Sequence, residues 1–267
     1  MNILGRFSVL VRDTGLMIGL HLRAPFQRFP RRYRHGDADK PIILLLPGVY
    51  ETWAFLEPIA ELLHRSGYRI SIVRGLGYNL LPIIDTAGRL ARALRRAPAP
   101  RAGRIIVAHS KGGLIGKQLM VTDGPELRIL GVVAIATPFA GSRYARYILD
   151  PSLRAFLPTN STIVGLGRQA EVNASIVSIF GPWDPHVSEG SELPGAHNVR
   201  AETSGHFRIL RAPETAPLAL DAVEMLHGAE PPGETGSPNP RQLTLEAKSP
   251  TLPARLGAAS PTLEQAP

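Results

Sequence analysis

The sequence predicts an α/β domain, with a mostly parallel sheet covered by helices on both faces. Three observations carry that prediction. Over residues 41–227, short apolar runs alternate with amphipathic helical patterns, the order that gives a parallel sheet sandwiched between helices. One apolar run, Ile105 to Ala108, passes straight into a glycine-rich turn and a helical pattern. A long segment, 138–173, separates two strands that a short crossover could have joined. Insertions of that length in compact domains are commonly functional, lids among them.

Taken in order, Ile42 to Leu46 is wholly apolar, as a buried parallel strand is. Pro58 to Ser66 reads as a helix with Ile59, Leu62 and Leu63 on one face, Pro58 in its first turn and Gly67 closing it. A strand follows around Arg69 to Val73. Thr86 to Arg96 is amphipathic, with Leu90, Ala93 and Leu94 inward and arginines outward. Next come strand Ile105 to Ala108, helix Lys111 to Met120, and strands Ile129 to Ile135 and Ser175 to Phe180. A short strand near Asn198 to Arg200 precedes a last helix from Ala216 to Leu226.

The flanks read differently. Residues 1–35 hold seven arginines against one acid, Asp13, so this arm supplies +6 of the net charge of +8. Its apolar stretch Phe7 to Leu22 is broken by Arg12 and Asp13, which fits neither a membrane span nor a secretory signal. A helix packing its apolar side on the domain is expected over part of 1–40, with a surface-lying membrane contact as the alternative. The segment 228–267 carries eight prolines and no aromatic residue, and reads as a disordered tail. The absence of cysteine excludes disulfides, thiolate metal sites and a cysteine nucleophile. No nucleic-acid motif accompanies the basic charge, so nucleic acid is not an expected partner. A cytoplasmic protein is expected, with peripheral membrane contact through the arm left open, as is the oligomeric state.

The chemistry centres on Ala108-His109-Ser110-Lys111-Gly112-Gly113. A serine hydroxyl is a weak nucleophile that needs a base and a stabilised oxyanion. A tight strand-to-helix turn lifts Ser110 above the sheet edge and aims the Lys111 N–H at the developing charge. Such a turn is crowded, and the residues two before and two after the serine, Ala108 and Gly112, are both small. The rival reading is a serine that merely caps the helix.

This segment resembles the nucleophile elbow of the α/β-hydrolase superfamily, in particular its bacterial lipase and esterase branch. Ala136-Thr137-Pro138-Phe139-Ala140-Gly141-Ser142 adds to the resemblance, which covers about residues 41–227. Alanine at 108, where the common pattern has glycine, and proline at 47, where many relatives have histidine, are departures. The resemblance implies a carboxylic ester hydrolase with a serine–acid–histidine triad, and the apolar and aromatic residues of the inserted segment point to lipid-like or medium-chain esters. It also implies that the loop Pro47-Gly48-Val49-Tyr50 supplies a second oxyanion N–H, from Val49 or, failing that, Tyr50. The competing reading of this loop is an ordinary turn that holds Trp53 against the core.

The family's chain order places the acid and base in loops after the last two strands. His206 fits the base; His21, His35 and His64 precede the elbow, His109 lies in it, and His197 and His227 fit poorly. Asp184 in Gly181-Pro182-Trp183-Asp184-Pro185-His186 fits the acid, with Asp150 as a rival and a plain Asp-Pro turn as the bland alternative. From the inserted segment and the oxyanion loop, Tyr50, Phe139, Tyr144 and Phe156 are candidate substrate contacts, against plain core packing. Lys111 admits either an anionic substrate or a side chain facing solvent. No metal spacing and no phosphate-cradling loop occurs, so no cofactor is expected. Thioesterase, amidase and acyltransferase chemistry use the same triad and stay open. So do a non-catalytic binding protein of this fold and a membrane-surface or nucleic-acid binding protein whose arm is the functional part.

Overall fold

Among the described residues, six strands lie side by side in the order β2-β1-β3-β4-β5-β6, every neighbouring pair parallel. They are β1 (Ile42–Leu46), β2 (Ile70–Ile72), β3 (Arg104–His109), β4 (Ile129–Ile135), β5 (Ile176–Phe180) and β6 (His197–Arg200). The computed structural model describes residues 1–73 and 78–229; the expected proline-rich tail lies, beyond Ala229, outside the described residues.

The period of two along the strands sorts their side chains onto two cores. Ile43, Leu45, Ile105, Val107, Val133, Ile135, Val177 and Ile179 face one side. There they meet α1 (Ile3–Arg23), α2 (Glu57–Arg65) and α7 (Thr215–Gly228). Leu44, Leu46, Ile106, Ala108, Val132 and Ala134 face the other side, where α3 (Ile83–Leu94) and α4 (Lys111–Asp123) cover them. Because both faces are buried, the strands can be apolar throughout, as the sequence of β1 and β4 shows.

The helix boundaries differ from expectation in instructive ways. α3 begins at Ile83 rather than Thr86, because Pro82 in extended backbone can precede a helix without needing an N–H of its own. α4 runs on to Asp123. The segment 138–173 is itself structured: a 3-10 turn over Arg143–Tyr147, then α5 (Pro151–Arg154) and α6 (Ser161–Arg168), capped by Asp150 and Asn160. Ala145, Phe156, Ile163 and Leu166 pack it onto the α3–α4 side of the sheet.

In chain order the strands step from β1 out to β2 and then back past β1 to β3. The loops after β1 and β3 therefore leave the carboxyl edge of the sheet at the switch point, where α/β sheets hold ligands.

Candidate active site

β3 runs into a reversal at Ser110, whose backbone has φ 52° and ψ −120°. A non-glycine residue there costs about 1–3 kcal/mol, which the surroundings must supply. The Ser110 N–H donates to the Ile135 carbonyl at 2.9 Å, and Gly113 donates to the Ser110 carbonyl at 3.1 Å. A Cβ on Gly112 would meet the Leu46 carbonyl oxygen at 2.0 Å, and one on Gly113 would meet Thr137 Oγ1 at 2.1 Å. Small residues are thus required where α4 passes over the ends of β1 and β4. Ser110 opens into a cavity of about 650 Å³ walled mainly by apolar side chains, a volume ordinary for a small-molecule site.

The loop after β1 lies directly on the serine: a Cβ on Gly48 would stand 3.1 Å from Ser110 Cβ. The Tyr50 N–H donates to the Tyr78 carbonyl at 2.7 Å and is spent. The Val49 N–H meets no acceptor among the described residues. The Lys111 N–H belongs to the first turn of α4, where helical N–H groups have no partner in their own helix. The Lys111 side chain does neither thing expected of it. It is buried, donating to the carbonyls of Asn79 and Leu81 at 2.8 and 2.5 Å, and burial lowers its pKa to about 8.

His206 and Asp184 come together across the loops that follow β6 and β5. His206 Nδ1 lies 2.7 Å from Asp184 Oδ2. Asp184 Oδ1 accepts from the N–H groups of His186 and Val187 at 2.7 and 3.1 Å, so the aspartate both builds its turn and holds the histidine. Burial pushes the Asp184 carboxyl upward, but the facing His206 and these hydrogen bonds bring it below the usual aspartate value. Burial likewise favours neutral His206, and the Asp184 charge outweighs it, with Glu51 and Asp13 adding, so its pKa is raised. His206 lines the same cavity as Ser110. No Ser110–His206 hydrogen bond is formed; such contacts commonly tighten when substrate is bound.

The other candidates separate. Tyr50, Tyr144 and Phe156 line the cavity. Phe139 does not; it is buried in the core between the sheet and the inserted segment, because the turn after β4 directs it inward. Asp150 caps α5 and accepts from the Tyr50 hydroxyl, which ties the inserted segment to the loop after β1 and removes it as a rival acid.

Three further residues support the site, and sequence reasoning did not assign them. Glu51 is buried and accepts from the Gly48 N–H at 2.9 Å. Its two oxygens lie 2.8 and 2.9 Å from Nδ1 of His109. His109 Nε2 lies 3.0 Å from the carbonyl oxygen of His206. That oxygen can only accept, so Nε2 donates. The pair therefore ties the loop after β1, the turn at Ser110 and the His206 backbone into one unit.

The third is Asp13, from α1, fully buried. Its Oδ1 accepts from the N–H groups of Phe207 and Arg208 at 2.9 and 2.8 Å, fixing the chain immediately after the histidine. Its other oxygen stands 3.7 Å from Nε2 of His186. Partial desolvation and the neighbouring His206 lower the pKa of His186, whose side chain is 45% exposed. The available signal was a lone acid inside an apolar helical stretch. Among the described residues, no three histidine or acidic side chains gather as a metal's ligands would.

No family model matches the sequence, and no curated protein matches it. Solved structures do match in fold. A Bacillus licheniformis lipase in its mature form is 16% identical with TM-score 0.58, over 71% of this chain and 94% of that one. Aspergillus fumigatus lipase B is 17% identical with TM-score 0.60, over 82% of this chain and 59% of that one. A carboxylesterase structure from the thaumarchaeon Nitrososphaera gargenis is 16% identical with TM-score 0.52, covering 72% and 93%. This chain has the α/β-hydrolase fold.

Proposed function

We propose that the protein is a serine hydrolase of carboxylic esters acting through an acyl-enzyme intermediate. The observation that carries this reading is the buried His206–Asp184 pair, which opens into the same cavity as a strained Ser110. The fold shared with lipases and a carboxylesterase supports it.

In this mechanism the Ser110 hydroxyl attacks the ester carbonyl while its proton passes to Nε2 of His206. Asp184 holds Nδ1–H and stabilises the cationic ring. The N–H groups of Val49 and Lys111 receive the negative charge that forms on the carbonyl oxygen. His206 returns the proton to the departing alkoxide, leaving the acyl group on Ser110, and water repeats the sequence to release the acid. The raised pKa of His206 suits this proton transfer, because an acid–base group works best near the operating pH.

The apolar walls of the cavity, Leu153, Phe156, Ile18 and Leu22 among them, favour an aliphatic or lipid-like acyl group. Hydrolysis of p-nitrophenyl esters from acetate to palmitate, with Ser110→Ala alongside, tests the reading. Turnover that peaks above acetate and vanishes in the variant is the expected result. Equal turnover by both proteins overturns it, and no turnover of any ester by either shifts the reading to a thioester or amide substrate, or to binding alone.

A further inference from the structure

Helix α1 has two unlike faces. Its inner face buries Asp13 and Leu20 and packs Leu16 and Met17 against the core. Its outer face carries Ile3, Leu4, Phe7, Val11, Ile18 and Leu22, which are 50% to 86% exposed. Steps of three and four residues place these six on one stripe along the helix. A stripe of that kind on a soluble surface marks a place where something apolar docks.

Its surroundings define what docks. Helical geometry puts Arg6 on one side of the stripe and Arg12 and Arg23 on the other, all three exposed. The only acid among residues 1–35 is Asp13, which is buried and engaged with the 207–208 backbone. The stripe also leads to the cavity: Ile18 and Leu22 form part of its wall, together with Tyr147 and Ile148 of the inserted segment. Tyr147 is itself 74% exposed and Leu149 is 91% exposed. No helix is long and apolar enough among the described residues to cross a membrane. An apolar stripe flanked by arginines, on a helix that does not span, suits the plane of a lipid headgroup layer, where long basic side chains reach the phosphates.

We propose that the outer face of α1 docks the protein on an anionic lipid surface, with the mouth of the cavity turned toward that surface. The docking rests on α1 and its charge, not on the reaction proposed above, so either can fail without the other.

The test is co-sedimentation of the full chain with phosphatidylcholine vesicles, with and without about one-third phosphatidylglycerol. The comparison variant is Phe7→Gln/Val11→Gln, which alters neither the cavity wall nor Asp13 and keeps good helix formers. The expected result is binding to the anionic vesicles, about tenfold weaker on neutral ones and about tenfold weaker again when salt rises from low to molar levels. The double variant loses about tenfold or more while its thermal midpoint is unchanged. No vesicle binding, equal binding to neutral and anionic vesicles, or full binding by the variant overturns the proposal. A concentration-dependent dimer in sedimentation equilibrium, lost in the variant and unaffected by vesicles, overturns it in favour of a second copy of this chain.

Discussion

Ser110 is held by backbone geometry and close packing, whereas His206 is held by side chains from several other elements. The elbow rests on the β3-to-α4 reversal and on two glycines that pass within contact of Leu46 and Thr137. The histidine depends on Asp184 from the previous loop, Asp13 from α1, and His109 bound to Glu51. One half of the site is backbone geometry; the other half is a network of buried charges. Backbone geometry tolerates no extra atom, while a charge network degrades by steps as its members are removed.

Removing the proposed nucleophile tests the rigid half and has the largest expected effect. Ser110→Ala is expected to lower kcat about a million-fold with the fold intact, measured as initial ester hydrolysis beside a thermal melt. Residual activity above about one per cent would mean another nucleophile. Asp184→Asn follows, at about ten-thousand-fold in kcat, because the amide no longer fixes the tautomer or balances the imidazolium. Retention of most of the activity would show that the carboxylate only builds its turn.

The outer members should cost less activity and more stability. Glu51→Ala leaves the His109 ring and the Gly48 N–H without their buried partner, and is expected to destabilise by about 3 kcal/mol in urea unfolding. A loss near zero would mean that the pair contributes nothing to the fold. Asp13→Asn, the mildest change, keeps one acceptor for the Phe207 and Arg208 N–H groups but removes a charge that raises the His206 pKa. About a tenfold fall in kcat with KM unchanged is expected, together with a small shift of the pH profile.

The direction of that shift follows from the protonation states. The proposed base must be neutral to act, and the folded-state pKa of His206 lies above the ordinary 6.5. The acid limb of kcat/KM therefore falls above that value in the parent protein, and moves down in Asp13→Asn and further down in Asp184→Asn. A limb that stays in place in both variants would uncouple these carboxylates from His206. The same pair bears on stability. The contribution of His206 is full below 6.5 and is lost as pH rises through its folded value, while that of Asp184, whose ordinary value is 3.8, is lost as pH falls through its own lowered one. Both are present together between about 3.8 and 6.5.

The contrast also explains how much the sequence revealed. The parallel sheet was legible because its strands are apolar on both faces, as Ile129 to Ile135 is, and that run alone marks a buried strand. Ser110 was legible because the elbow is local: strand, small residues and glycines stand within six positions. The contact between Asp184 and His206 was anticipated only through the chain order that the resemblance implies. Those of Glu51, His109 and Asp13 were not, since their partners lie on other elements and no spacing in the chain encodes the contact. Phe139 was misassigned for a related reason, as an aromatic residue after a strand can turn into the core or toward a cavity with the same sequence. The interior role of Lys111 depends on the carbonyls of Asn79 and Leu81, which only the fold brings over the elbow.

The central claim is that Ser110 is a nucleophile activated by His206 and Asp184. Incubation with a p-nitrophenyl alkylphosphonate, followed by intact-mass and peptide mass spectrometry, tests it most directly. The account predicts one stoichiometric adduct on the peptide that carries Ser110, slowed in Asp184→Asn and absent in Ser110→Ala. An adduct on any other residue, or equal labelling in all three proteins, would contradict it.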